Sequence, residues 1–234
     1  MKIINWNCKM SFRKKHRLLI KYYADIMIIP ECEQFTISSE SESLWVGENT
    51  SKGLGIFSFN GFKIELHNSY TDKFKFIVPL IITRDDETYH VMAVWTKKVG
   101  PKKKNHKNYI NQFRLSLDHY NSFLSFRNII IAGDFNSNLL WKRKNGIILD
   151  KNHEEVIQKL EQINIYSAYH QYFNQQQGKE SKPTYFHYHQ KERPFHIDFC
   201  FLSHNLVKKL SKVEVGDFKD WKNISDHVPM IMEF

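Results

Sequence analysis

Asp134 and Asn136 stand two residues apart at the end of an unbroken apolar run, Ile129-Ile130-Ile131-Ala132, from which Gly133 separates them. Alternate side chains of an extended chain share a face, so the carboxylate and the amide point the same way while Phe135 turns into packing. A carboxylate that only accepts, beside an amide that donates and accepts, suits a hydrated metal ion or a phosphate oxygen. An Asx turn at a strand end is the plain alternative. Recurrence argues against it. Asn7 ends the apolar opening of the chain, Glu31 follows Ile26-Met27-Ile28-Ile29-Pro30, Asp198 sits in an apolar segment, and Asp226-His227 precedes the last one. If these ends converge, they assemble Glu31, Asp134, Asp198 and Asp226 with two amides and one imidazole. That inventory suits a hard divalent cation with water in its shell, Mg²⁺ first and Mn²⁺ as a substitute. His227 could then face a phosphate while Asp198 holds its other ring nitrogen and fixes the tautomer.

The elements that must position these residues are read from periodicity. Strands are expected over 2–7, 26–29, 44–46, 53–59, 62–66, 74–83 and 88–95, then over 129–134, 184–188, 197–202, 213–216 and 228–233. The Asn60-Gly61 and Asp85-Asp86 pairs predict hairpin turns. A helix capped by Ser11 is expected to reach Tyr23, with Phe12, His16, Leu19 and Tyr23 on one face. A second runs over 108–124, and a third over 152–162 with Asn152 and Glu155 as a capping box. A short turn of helix is expected over 205–210, and polar loops over 38–43 and 171–182. No repeat, linker or change of composition divides the chain, so one domain over 1–234 is expected.

Length and composition are consistent with that. The 234 residues are 41% hydrophobic and 15% aromatic, enough for a substantial core and against disorder. No apolar run approaches the roughly 20 residues that span a bilayer, and the opening residues have no signal-peptide architecture. Three widely spaced cysteines, Cys8, Cys32 and Cys200, argue against a disulfide framework. Cys8 and Cys32 each follow a candidate site residue and, by alternation, should be buried. A cytoplasmic protein is expected.

The chain resembles the endonuclease/exonuclease/phosphatase superfamily, which includes abasic-site endonucleases and pancreatic-type deoxyribonuclease. Asn5-Trp6-Asn7, Pro30-Glu31, Gly133-Asp134-Phe135-Asn136, His196-Ile197-Asp198-Phe199 and Ser225-Asp226-His227 carry the resemblance, in the family's order, across nearly the whole chain. It implies a four-layer α/β/β/α sandwich, with two mostly antiparallel sheets packed face to face under outer helices. It also implies a Mg²⁺-dependent phosphoric-ester hydrolase. Glu31 would be the main metal ligand, with Asn7 beside it and Asp226 assisting. Asp134 would orient or deprotonate the attacking water, and Asn136 would hold a phosphate oxygen. His227, paired with Asp198, would stabilise charge on the phosphorane. Two positions depart from the family. Pro30 replaces a common Gln, and Trp95 ends the strand where members carry His or Tyr. Tryptophan donates one N–H and has no proton to give near neutral pH, which favours a one-histidine mechanism. Packing in the core is the alternative reading of Trp95.

Substrate class is read from charge. Lys and Arg total 34 against 25 acids, a net +9. The excess gathers in Arg13-Lys14-Lys15 with Arg17, in the 97–107 segment with Lys97, Lys98, Lys102 and Lys103, and in Lys142-Arg143-Lys144. Each run closely follows a candidate site residue, so all three should rim one face and favour a polyanion. Trp95 and His196 are candidate substrate contacts beside them. Nucleic acid, with DNA favoured, is the expected partner, and no obligate protein partner is signalled. The alternative is a small phosphorylated substrate or a phospholipid headgroup, against which stands the lack of a hydrophobic protrusion for a bilayer. A silent binding protein on the same scaffold is a third reading, disfavoured because every acid and His227 are retained. His187, His189 and His196 suggest zinc only weakly, without a Cys pair.

Overall fold

The computed structural model describes residues 1–98, 109–143 and 146–234, excluding the side chains of 142 and 143. In chain order the first strands are β1 (Lys2–Asn5), β2 (Ile26–Cys32), β3 (Glu42–Asn49), β4 (Lys52–Ser58), β5 (Lys63–Leu66), β6 (Ile77–Arg84), β7 (Glu87–Trp95) and β8 (Ile129–Asp134). There follow β9 (Leu140–Arg143), β10 (Gly146–Leu149), β11 (Ile165–Ser167), β12 (Tyr185–Phe186), β13 (Pro194–Phe195), β14 (Asp198–Ser203), β15 (Lys212–Val215) and β16 (Met230–Glu233). The helices are α1 (Phe12–Lys15), α2 (Arg17–Ile20), α3 (Ile110–His119), α4 (Asn121–Leu124), α5 (Lys151–Gln162), α6 (Ala168–Phe173), α7 (His204–Val207) and α8 (Phe218–Trp221).

One six-stranded sheet has the order β15-β16-β1-β2-β4-β3, the other β11-β14-β8-β7-β6-β5. Within them β1 pairs with β2 and β7 with β8 in parallel, and the remaining pairs are antiparallel. Alternation along strands buried on both faces explains the layering. Ile3, Ile26 and Ile28 of one sheet meet Val91, Ala93, Ile130 and Ala132 of the other in a central core. The intervening Ile4, Met27 and Ile29 face outward onto Phe12, Leu19 and Trp221. On the opposite side Met92, Val94, Ile129 and Ile131 pack under Phe113, Leu117, Val156 and Leu160. Helix, sheet, sheet, helix is therefore the layer order that the sequence implied.

Several local expectations are corrected. Ser11 adopts φ 57° and caps nothing with its side chain; the first helix is two short ones, α1 and α2, and Tyr23 is exposed. The Glu33 carboxylate accepts the free N–H groups of Phe12 and Arg13 instead, at 2.8 and 3.0 Å. The helix expected over 108–124 breaks at Tyr120 into α3 and α4. Asp150, not Asn152, caps α5, accepting from the amides of Asn152 and His153. Asp85 turns between paired β6 and β7 as expected, but Asn60-Gly61 carries the chain from one sheet to the other rather than closing a hairpin. The 171–182 loop begins inside α6, and the β9–β10 hairpin was not anticipated. That hairpin exposes Ile147, Ile148 and Leu149, a hydrophobic protrusion where none was expected. Cys8, Cys32 and Cys200 are buried and unpaired. Among the described residues no helix is long and apolar enough to cross a membrane.

Candidate active site

Strand direction brings the polar ends together. Asp134 closes β8 and lies directly opposite Asp198, the first residue of antiparallel β14, and beside Trp95, the last of parallel β7. Gly133 is required here: at φ 153°, a Cβ would lie 1.7 Å from the Val94 carbonyl oxygen of β7. In the other sheet, Asn7 lies just past β1 and Glu31 near the end of parallel β2. Glu31 is the extra residue of a bulge between Pro30 and Cys32, held at φ 62°, which turns its carboxylate out of the ladder. Asn5 ties the sheets at this end, its buried Nδ2 donating to the Gly133 carbonyl at 2.9 Å.

The acids meet through amides. Asn7 Nδ2 donates to Asp134 Oδ2 at 2.9 Å and to Glu31 Oε1 at 3.3 Å. Asn136 Nδ2 donates to Asp134 Oδ2 and to the Thr96 carbonyl, both at 2.8 Å, and its backbone N–H donates to Asp134 Oδ1 at 2.8 Å. Both amide hydrogens of Asn136 are thus spent within the protein. Asn136, at φ 47°, therefore stands against Asp134 with its side-chain amide turned toward the site residues rather than toward solvent. Burial and the facing Asp198 raise the Asp134 pKa to about 7, against the opposing pull of His227 and the Asn7 and Asn136 donors.

His227 Nδ1 lies 2.8 Å from Asp198 Oδ2, both side chains buried. Burial by itself would lower the imidazole pKa. The Asp198 charge and hydrogen bond, with Asp134 and Asp226, outweigh it and raise the pKa to about 9. The Ser225 and Trp6 side chains explain the motif around it. Ser225 Oγ donates to the Asn7 carbonyl and accepts from the His227 amide, while Trp6 Nε1 donates to the His227 carbonyl at 3.0 Å. The Tyr185 ring lies 4.7 Å from the imidazole, through a bridge between Tyr185 and His227. Nothing in the local sequence singled Tyr185 out.

The remaining candidates divide. Asp226 accepts from Lys9 Nζ at 2.9 Å, and Glu31 Oε2 from Lys52 Nζ at 2.7 Å. Trp95 packs in the central core, and its ring also carries two ammonium groups, those of Lys52 and Lys97. Lys97 pairs with Glu48 at 2.9 Å, and Lys98 is exposed. Lys102 and Lys103 lie outside the described residues. Lys142 and Arg143 belong to β9, and only their backbone is described. His196 is buried against Tyr169 and Phe199 and bonds the Lys182 carbonyl at 2.9 Å.

Two donor sets could hold a cation. Asp134, Asp198 and His227 offer ligand atoms within 4.8 Å of one another, the one such His/Cys/Asp/Glu group among the described residues. A metal there would have to displace the 2.8 Å bond between His227 and Asp198. Glu31 and Asp226 instead carry partly exposed carboxylates at the rim, and the buried Asn7 joins Glu31 to Asp134 through its Nδ2, its Oδ1 accepting the Lys9 backbone N–H at 3.0 Å. Lysine ammonium groups already neutralise Glu31 and Asp226, which marks the spot as one that attracts a cation. This all-oxygen set fits Mg²⁺ or Mn²⁺.

No family model matches the chain, and no curated protein matches it. Among solved structures it is similar to a 3′-5′ exonuclease (NExo) from Neisseria meningitidis, at 18% identity and TM-score 0.75, over 100% of this chain and 99% of that one. The catalytic domain of Xenopus laevis APE2 is similar at 17% identity and TM-score 0.71, over 100% and 91%. The endonuclease domain of TRAS1, a telomere-specific non-LTR retrotransposon, is similar at 14% and 0.70, over 99% and 96%. At these identities the likeness is one of fold: the chain has the α/β sandwich of the exonucleases and abasic-site endonucleases.

Proposed function

We propose that this chain is a divalent-cation-dependent phosphodiesterase that hydrolyses nucleic acid, DNA foremost. The observation that carries the reading is the convergence of Asn7, Glu31, Asp134 and Asn136 with the Asp198–His227 pair on one rim of a nuclease-type sandwich. Another Neisseria structure of similar fold is described as a 3′ phosphatase bound to product DNA hairpin, which supports DNA as the partner and keeps terminal phosphate removal as a second reading.

Mg²⁺ held by Glu31, Asn7 and Asp226 would supply Lewis-acid neutralisation of the phosphate charge. The chain's own residues do the rest. Asp134, held by three donors, is fixed in orientation and takes the proton of an attacking water. Its raised pKa suits a base working near neutrality. His227, protonated and braced by Asp198 through Nδ1, presents Nε2–H to a phosphate oxygen and stabilises the charge that builds there. Trp95 has no proton to exchange, so His227 is the single imidazole of the mechanism.

The test is cleavage of supercoiled plasmid, abasic duplex, single-stranded DNA and RNA with Mg²⁺, Mn²⁺ or EDTA. Cleavage is expected with either cation and none in EDTA. His227→Ala and Asp134→Ala are each expected to lose about a thousandfold in rate while keeping the fold. Full activity in either variant overturns the mechanism, and activity in EDTA overturns the metal requirement.

A further inference from the structure

The notable group near this site that the mechanism leaves unused is Lys52. Its Nζ lies 2.7 Å from Glu31 Oε2 and 5.5 Å from the centroid of the Trp95 ring. The other oxygen of Glu31 accepts from Asn7, whose amide also holds Asp134, so the ammonium stands one carboxylate away from the reacting centre. Register puts it there: Gly53 faces Cys32 across the β2–β4 pair, so Lys52 meets the bulge that presents Glu31. The Trp95 ring is fixed, 4% exposed and packed edge-on to Phe76 at 4.9 Å. It is a rigid platform, and an indole face is the best aromatic partner for a cation. Lys97 shares the ring at 5.3 Å but is also tied to Glu48. Lys52 itself is 38% exposed in its side chain, open to whatever enters the site.

We propose that Lys52 is a substrate-phosphate ligand, held by Trp95 and parked on Glu31 until a divalent cation displaces it. The inference rests on the metal-dependent reading above. A cation binding Glu31 removes the attraction that holds the ammonium and adds a like charge beside it. The ring still anchors Lys52 locally, so the displaced charge stays in the cleft. A phosphate arriving with the substrate is then its nearest anion, and the ammonium supplies donors at the position where Trp95 offers no acid–base group. Lysine and divalent cation therefore compete for Glu31 in the free protein and cooperate once substrate is bound.

Lys52→Met keeps most of the stem and removes the charge, while Lys52→Arg keeps the charge. Mg²⁺ titration of the thermal unfolding midpoint, without substrate, reads the competition. Lys52→Met should reach half-maximal stabilisation at about fivefold lower Mg²⁺, with Lys52→Arg near wild type. Binding of a fluorescent oligonucleotide by anisotropy in saturating Mg²⁺, on an Asp134→Asn background that spares the probe, reads the phosphate contact. There Lys52→Met should bind about tenfold more weakly, with its log–log salt slope smaller by about 0.7, and Lys52→Arg should restore both. An unmoved Mg²⁺ midpoint overturns the parking on Glu31. A moved midpoint with unchanged oligonucleotide affinity leaves Lys52 a counter-ion only and overturns the substrate role. Failure of the parent reading looks different: the wild type would then show neither Mg²⁺-dependent stabilisation nor cleavage.

Discussion

The Asp198–His227 pair makes the strongest statement about a single residue, because it sets the sign of the pH response. His227 is held charged up to about 9 by Asp198, so its contribution is present at neutral pH and lost as pH rises through that value. As the proposed base Asp134 acts unprotonated, and burial with Asp198 opposite raises its pKa to about 7, so activity is expected to rise through neutrality on the acid side. A bell-shaped dependence of kcat/KM on pH is expected, with Mg²⁺ drawing the acid limb lower. Burial is the first cause of the Asp134 shift, whereas Asp198 is the main group raising His227, so Asp198→Asn should move the alkaline limb to lower pH by about one unit or more. An alkaline limb that stays in place would show that another group sets it. The residues that converge at the candidate site were largely legible in sequence because each interrupts an apolar run, where a polar side chain is conspicuous. What the sequence did not show is that the Asn136 amide bonds Thr96 and Asp134, partners that only the fold supplies.

At the scale of elements, the closest fit lies between β7 and β8 at Gly133. Gly133→Ala drives a methyl into the Val94 carbonyl and is expected to destabilise by about 3 kcal/mol or more in urea denaturation. A loss below about 1 kcal/mol would mean the strands can part there at little cost. The same strands were the easiest to read, since Ile129 to Ala132 and Val91 to Val94 are buried on both faces and leave little ambiguity. Helix ends were harder. The cap of α1 comes from Glu33, about twenty residues along the chain, and no local pattern around Ser11 reveals it. The break at Tyr120 was hidden because apolar spacing continues through it, while the Tyr120 hydroxyl reaches into the fold to bond the Ile77 carbonyl. Lys52 and Tyr185 escaped for a related reason: each meets the site through pairing between strands distant in sequence.

For the molecule as a whole, the net charge of +9 argues for a partner held through several phosphates. If about four phosphates are contacted, affinity for duplex DNA should fall roughly a hundredfold between 50 and 200 mM salt. A salt-independent affinity would instead favour a small phosphorylated substrate. The cross-sheet tie from Asn5 to Gly133 has a larger implication. Glu31 belongs to one sheet, with Asn7 just past its β1 and His227 just before its β16, whereas Trp95, Asp134 and Asp198 belong to the other. The groups of the candidate site therefore straddle the two slabs like teeth of facing combs. Slippage of a fraction of an ångström would misalign them while every helix and strand stayed intact. Warming should accordingly silence turnover some degrees before the slabs come apart.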